Sequence, residues 1–511
     1  MRKLLAFSLF FILWQNISFT QGYNKYFDFG YPGNSFGDIV IYNDTIVGIG
    51  EAFSDWTLTR QGIFLVQLDS NGNLIQKNMY LDTLGGNFFL FPGPDKIVKC
   101  TDGGYAFVAA SYERNDAYLY KLDAGFNVEF IKEYRDTVNI ANFPYSIIET
   151  PEGYLLYGKN VSPVNKQFCF VRMVNKQGEQ IWEKTFFRTG YHYGDVHVVQ
   201  LADSNYLFAT HLIKSGAPEY ESYSNFRVLD ADGNQVASWQ NSTNDSLGFV
   251  SRVLPLDDGG FIAVGQAISK PPPFPQYKPS YIRFKPGFQV DWVRHWGRPK
   301  FVLYEPAAEC SKLLRTGTNM VLAFGEGYDY DILDNNTFGQ ANFLNFNLQG
   351  DSLWNRPVRP PDPLFNLDLP VTLYGAGLLS SGSIIGSGEI NPDIYYAWLI
   401  KLTRDGCLDT LFACTPTSGT SVPIPLRLGA LTVAPNPAYG QARILFPESL
   451  HQGQLTVLDA MGRVRFRQTI RMGAGSHLID VSGYPAGLYH ALLEDTNGAH
   501  WTGRFFVAGD D

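Results

Sequence analysis

The chain has 511 residues, 45% of them apolar and only 17% charged, with 50 glycines, 29 tyrosines and a formal net charge of -9. An acidic chain with no basic cluster excludes nucleic acid as a partner. Five cysteines over this length exclude a disulfide-built scaffold. Strand and turn formers dominate, and few segments carry a 3.6-residue apolar period, so the expected class is all-β.

Export is the first signal in chain order. Arg2 and Lys3 precede an apolar run from Leu4 to Leu13, and Ser18-Phe19-Thr20 places small residues before Gln21. That order describes a cleaved signal peptide over residues 1–20, and the run is short for a bilayer span. Losing Arg2 and Lys3 takes the formal charge to -11. No cysteine follows the cleavage site until Cys100, and no later stretch is apolar enough for a transmembrane anchor.

Residues 21–414 carry an internal repeat. A strand, a tight turn and a second strand recur in Phe64-Leu-Val-Gln-Leu-Asp69-Ser-Asn-Gly72, Tyr118-Leu-Tyr-Lys-Leu-Asp123-Ala-Gly125 and Phe170-Val-Arg-Met-Val-Asn175-Lys-Gln-Gly178. The pattern returns at Gly233, Gly287, Gly350 and Gly406, so the turn glycines lie 53, 53, 55, 54, 63 and 56 positions apart. Each unit also holds an earlier hairpin, such as Asp102-Gly-Gly-Tyr105 or Asp257-Asp-Gly-Gly-Phe261, whose turn positions need positive φ. Four strands per unit and seven units predict a seven-bladed β-propeller. Asn24 to Gly30 is a spare strand, expected to join the seventh blade and close the ring. Trp182, Trp239, Trp292 and Trp354 fall at one position of the repeat and are expected to pack between blades. Cys407 and Cys414 are expected to form a local disulfide, and Cys100, Cys169 and Cys310 to be buried thiols.

Chemistry is sparsely written. The chain has no Gly-x-Ser-x-Gly elbow, His-Glu-x-x-His, phosphate-binding glycine loop or Cys-x-x-Cys pair. Asp195 and His197 alternate onto one strand face and, with His211, form a candidate metal set. Asp230-Ala-Asp-Gly-Asn234 has the look of a calcium loop but lacks the distal acid and sits where an ordinary turn belongs. Tyr328, Asp329, Tyr330 and Asp331 are placed in a long loop between the second and third strands of blade six, as a candidate ligand site. No cofactor is required, and calcium is the ion that segment could take. The loops joining second to third strands vary most, so the functional face is placed there. Asp-Ser/Thr-apolar triplets at Asp44, Asp82, Asp136, Asp245, Asp351 and Asp409 resemble an O-glycosylation motif.

Residues 415–430, from Thr415-Pro-Thr-Ser-Gly onward, read as a linker. Beyond them, Pro435-Asn436-Pro437, Asp459 with Gly462, and Pro485-Ala-Gly487-Leu-Tyr489 punctuate alternating strands that fit a small Ig-like β-sandwich over 431–511. Together these landmarks resemble the C-terminal sorting domain of the type IX (Por) secretion system of Bacteroidetes. The resemblance implies passage across the outer membrane by the type IX machinery and a secreted or cell-surface product. Gly509-Asp510-Asp511 departs from the family's common basic finish. The propeller repeats resemble those of secreted proteins of the same bacteria. The leading expectation is a non-enzymatic binding or adhesion module for a glycan or protein; the alternative is a hydrolase or lyase with its site in the central channel, assembled from different blades.

Overall fold

The computed structural model describes residues 22–508, excluding 83, 92–94, 112, 136–140, 163–166, 216–221, 242–248, 270–275, 296–299, 302–309, 332–335, 362–370, 392–393, 409–427, 447–451, 460–462, 472–474 and 496–499. The expected signal peptide, most of the linker, Gly462 and Cys414 therefore lie outside the described residues. The chain divides into two compact units, one up to Ser418 and one from Gly419.

The first unit is a seven-bladed propeller. Each blade is an antiparallel sheet whose strands, A to D, run outward in chain order: residues 35–80, 88–134, 141–186, 191–240, 249–295, 310–358 and 371–402. In the last blade the fourth strand comes from the other end of the unit. Tyr23–Phe27 pairs antiparallel with Tyr396–Leu402, Tyr23 opposite Lys401 and Phe27 opposite Ala397. The spare N-terminal strand closes the ring, as its sequence predicts.

Alternation explains why the ring must close. A twisted sheet with apolar residues on both faces cannot leave either face in water. The buried apolar residues form seven clusters, each shared by two neighbouring blades. One joins Ile39, Phe64 and Val66 of blade one to Ala397 and Leu399 of blade seven.

A second device recurs at the rim. Six of the seven turn glycines between strands C and D have positive φ, for example +79° at Gly72 and +74° at Gly233, and in the turn of blade two Phe126, after Gly125, takes that conformation at +66°. An aromatic ring from strand D of the preceding blade lies on each of several of them. Trp182 covers Gly233, Trp292 covers Gly350, Trp354 covers Gly406, and Tyr23 with Phe27 covers Gly72. The indole N–H groups of Trp182 and Trp292 donate to Ala231 O and Leu348 O, at 2.9 and 3.0 Å. Trp239 instead packs on Phe226 and Phe284. The tryptophans are inter-blade packing groups. In the same turns an Asx carboxylate or amide caps the loop: Asp230 Oδ1 accepts from Asp232 N and Asn234 N at 3.0 and 2.7 Å. Asp69, Asp123 and Asn347 do likewise. The calcium-like segment is such a turn.

Cys100, Cys169 and Cys310 are buried free thiols. Cys407 is disulfide-bonded, its expected partner Cys414 lying outside the described residues.

The second unit is β-rich and built on one core that includes Leu431, Ile444, Val457, Tyr489 and Phe505. Thr432–Tyr439 belongs to two sheets. Thr432 to Ala434 pair with Arg443 to Leu445, whereas Ala438 pairs with Val507. The change falls on Pro435-Asn436-Pro437, where proline has no N–H for a ladder, and Asn436 Oδ1 accepts Phe506 N at 2.8 Å. Asp459 caps its turn through Arg463 N at 3.0 Å and holds the Arg463 and Arg465 guanidinium groups. Tyr489 donates to Pro485 O at 2.7 Å and stacks on Phe505. Three of the sorting landmarks are thus a sheet crossover, a capped turn and a core anchor.

Gly233→Ala is expected to cost more than Gly103→Ala. Both sites have positive φ, worth about 1–2 kcal/mol of strain for an L side chain. Only the Gly233 Cβ would meet a ring, at 2.9 Å from Trp182. Urea midpoints of the two variants against wild type measure the difference.

Candidate functional site

The innermost strands share an irregularity that sets the geometry of the channel. Register shifts fall between Phe36 and Asp38, Pro144 and Ser146, Tyr193 and Val196, Val250 and Arg252, Cys310 and Lys312, and Leu373 and Gly375. A bulge turns the following side chain inward and sharpens the local twist. In blade two the equivalent residue is Lys96, placed after Asp95 with φ +61°. One repeat position therefore brings Asp38, Lys96, Ser146, His197, Arg252, Lys312 and Gly375 together around the axis.

These residues form a charged network. Asp95 bridges non-adjacent blades, its Oδ2 3.1 Å from His197 Nε2 and its Oδ1 2.5 Å from Lys312 Nζ. His197 Nδ1 accepts Val253 N at 3.0 Å, so both ring nitrogens are engaged. Arg252 donates to Ser311 O and Ser251 O at 3.0 and 2.8 Å. Asp38 accepts Ile39 N and Lys96 N at 2.8 and 2.9 Å. Gly375 leaves room for it, since a Cβ there would meet Asp38 Oδ1 at 2.6 Å. Burial pushes the Asp38 carboxyl up to about 6 and the Lys96 ammonium down to about 7. Burial raises Asp95 too, but Lys312 and His197 outweigh it and hold that carboxyl well below the usual range.

A second ring lies at the channel mouth, on the residue that follows the small mid-strand residue of each B strand. It reads Glu51, Ala110, Lys159, His211, Gln266, Glu326 and Glu389. Blades six, seven and one, which are consecutive around the ring, supply the three glutamates. They surround Tyr374, which sits on the blade-seven bulge and whose hydroxyl burial and the charges of Glu389, Glu51 and Glu326 push well above its ordinary range. Tyr374 donates to Glu389 Oε1 at 3.2 Å, and the Ser35 and Thr372 side chains also hydrogen-bond Glu389. Glu326 Oε1 accepts Leu373 N at 3.2 Å. Glu51 accepts from Leu90 N and the Gln61 amide. Burial pushes Glu51 up to about 7, against those hydrogen bonds and assisted by the Glu389 charge, while burial also raises Glu389.

Glu51, Glu389 and Tyr374 line a cavity of about 330 Å³ between blades seven and one. Its other walls include Phe53, Gln61, Phe91 and Tyr395. It opens on the face of the B–C loops, where the sequence places function. Among the described residues no Lys, Arg or His lines it.

The residues singled out from sequence fare differently. His197 belongs to the axial network and gains nothing from a metal that would displace its partners. His211 lies over Gly194, whose missing Cβ makes the space; the side chain of Asp195 is outside the described residues. Among the described residues no three His, Cys, Asp or Glu side chains gather as a metal site. Tyr328, Asp329, Tyr330 and Asp331 are not in a loop. They extend strand Met320–Asp331, paired in register with Asn336–Asn347, because alternation continues past Glu326. The glutamates and Tyr374 were not singled out, although Gly50-Glu51, Gly325-Glu326 and Gly388-Glu389 repeat one dipeptide at one strand position. That repetition was the available signal.

Residues 432–508 match the family model for the secretion system C-terminal sorting domain. The tail is thus a type IX sorting domain and directs the chain to export, to the cell surface or beyond. Among the described residues no helix is long and apolar enough to cross a membrane. No curated protein matches the chain by sequence. Solved structures similar to it include a polysaccharide lyase acting on ulvan, at 9% identity and TM-score 0.45 over 73% of this chain and 95% of that one. An α-L-arabinofuranosidase from Fusarium graminearum is 12% identical, at TM-score 0.38 over 60% and 92%. Drosophila Plexin A, in complex with Semaphorin, is 9% identical, at TM-score 0.39 over 75% and 86%.

Glu51 carries a pH prediction. Its folded value, about 7, lies above the ordinary 4.5, so the native state holds the extra proton between these values. The associated stability is full below about 4.5 and is lost as pH rises through about 7. Glu51→Gln removes that dependence, so wild type should lose stability relative to the variant from pH 5 to pH 8 in urea titrations. Asp95→Asn should lower stability by about 2–4 kcal/mol at pH 7, since Lys312 and His197 lose their partner, with the difference shrinking as pH falls below about 4, where Asp95 of the unfolded chain takes up a proton that the folded carboxyl still refuses.

Proposed function

We propose that the propeller, residues 21–414, is a secreted glycoside hydrolase joined by a linker over 415–430 to its sorting domain. The reading rests on one observation: three glutamates from consecutive blades gather at the channel mouth around Tyr374, two of them in the wall of an aromatic-lined cavity. Sugars present apolar ring faces and hydroxyl edges, which aromatic walls with carboxylate and amide groups suit.

Roles follow from the environments. Glu51, with its carboxyl near 7, still holds a proton in a large share of molecules at neutral pH and donates it to the glycosidic oxygen as that C–O bond breaks. Glu389, hydrogen-bonded by three hydroxyl groups, supplies the carboxylate that attacks the anomeric carbon or takes the proton of the attacking water. Water completes the cleavage in either case. Elimination, as in a lyase, fits less well. It needs a base and a cation to neutralise a uronate, whereas Tyr374 is held protonated and, among the described residues, no cation lines the cavity.

A binding-only reading draws on exposed aromatics on the same face, Trp56 at 72% and Tyr395 at 45%. The two readings separate on activity. Glu51→Gln and Glu389→Gln should each lower hydrolysis of a soluble polysaccharide panel by about 10²-fold or more, with the β-sheet circular dichroism spectrum and a single cooperative thermal transition retained. Release of reducing ends by wild type is the readout, and no release from any polymer leaves the binding reading standing. For export, deletion of residues 419–511 should retain the propeller inside the cell envelope, as fractionation with immunoblotting would report.

A further inference from the structure

We infer that the cleft carries an anion subsite at Lys159, so that the glycan bears carboxylate or sulfate groups next to the unit being cleaved; this rests on the hydrolase reading. The repeat register places Lys159. It follows Gly158 as Glu51 follows Gly50 and Glu389 follows Gly388, and it faces Phe143 across the blade as Glu51 faces Ser35. The mouth ring is therefore acidic on one side and cationic two blades away.

An aromatic step joins the two. Phe91 lines the cavity and lies 4.3 Å from Phe143 and 5.1 Å from Tyr145, ring to ring. The Lys159 ammonium stands 5.3 Å from the Tyr145 centroid. The step from cavity to cation is short, the scale of a neighbouring sugar unit stacked on the Phe91 and Phe143 rings. Contact with an aromatic face fixes the ammonium without neutralising it. Four lysines of the propeller are neutralised by acids: Lys121 by Asp102 and Glu129, Lys176 by Glu149, Lys285 by Asp291 and Lys312 by Asp95. Among the described residues no carboxylate pairs with Lys159. An anionic substituent there gains a charge-assisted hydrogen bond in a half-enclosed site, while the cation-free cavity accepts the ring under attack.

The test is affinity electrophoresis of the mature protein in gels containing polygalacturonate, carrageenan or neutral dextran. Wild type and Glu51→Gln should be retarded by carrageenan if sulfate is the group, or by polygalacturonate if carboxylate is, and not by dextran. Lys159→Ala should weaken that retardation about tenfold, and Lys159→Arg should restore it. Equal retardation by dextran, an unchanged Lys159→Ala, or no retardation by either anionic polymer overturns the subsite. Retardation that depends on Lys159, without release of reducing ends, supports the subsite and overturns the hydrolase reading. Cleavage unaffected by Lys159→Ala does the reverse.

Discussion

Each sheet of the propeller is apolar on both faces, and everything else follows from the need to cover them. No blade can be stable alone, because each of the seven apolar clusters is completed by its neighbour. The last interface can form only if the propeller's first and last strands meet, which Tyr23–Phe27 achieves by joining the strand ending at Leu402. The rim repeats the lesson in small. A turn glycine is needed twice over, for positive φ and for the ring of the preceding blade that rests on it. Tyr23 resting on Gly72 shows that the closing strand uses the same latch as the covalently continuous blades.

Closure with seven sheets leaves an axis that side chains must fill. Bulges on the inner strands aim one residue per blade inward, and most of these are polar or charged. Asp95 ties blades two, four and six together across the axis through Lys312 and His197. Such a network is costly unless its members are satisfied, and Asp38, His197, Arg252 and Lys312 all have partners. The axis is thus occupied by structural charge. The open space lies off it, between blades seven and one, where Glu51, Glu389 and Tyr374 meet at the seam that the closing strand creates.

Fold and export were legible because their signals are local. Hairpin glycines at near-constant spacing declare four-stranded units, and Pro435-Asn436-Pro437 marks a place where a strand must leave its ladder. The site was only half legible. Gly-Glu recurs at residues 50, 325 and 388, but the repeat disguises it, since the same position holds Lys159 and His211 elsewhere. His197 looked like a ligand because strand alternation puts it beside Asp195. Its real partner, Asp95, lies about a hundred positions earlier, and no local pattern connects them. Tyr328 to Asp331 looked like a loop because acids and tyrosines interrupt the apolar run, yet the backbone pairing simply continues.

By itself, the sequence settled what depends on neighbours along the chain: strand alternation, turn chemistry, the repeat number and the punctuation of the sorting domain. These are short-range consequences of φ preference and of which side chains avoid water. Which charges face one another across the axis, and that three glutamates from blades six, seven and one share one tyrosine, was decided by the tertiary structure alone. Bending seven sheets into a ring brings equivalent positions within interaction distance however far apart they stand in sequence, and that convergence is a property of the closed circle.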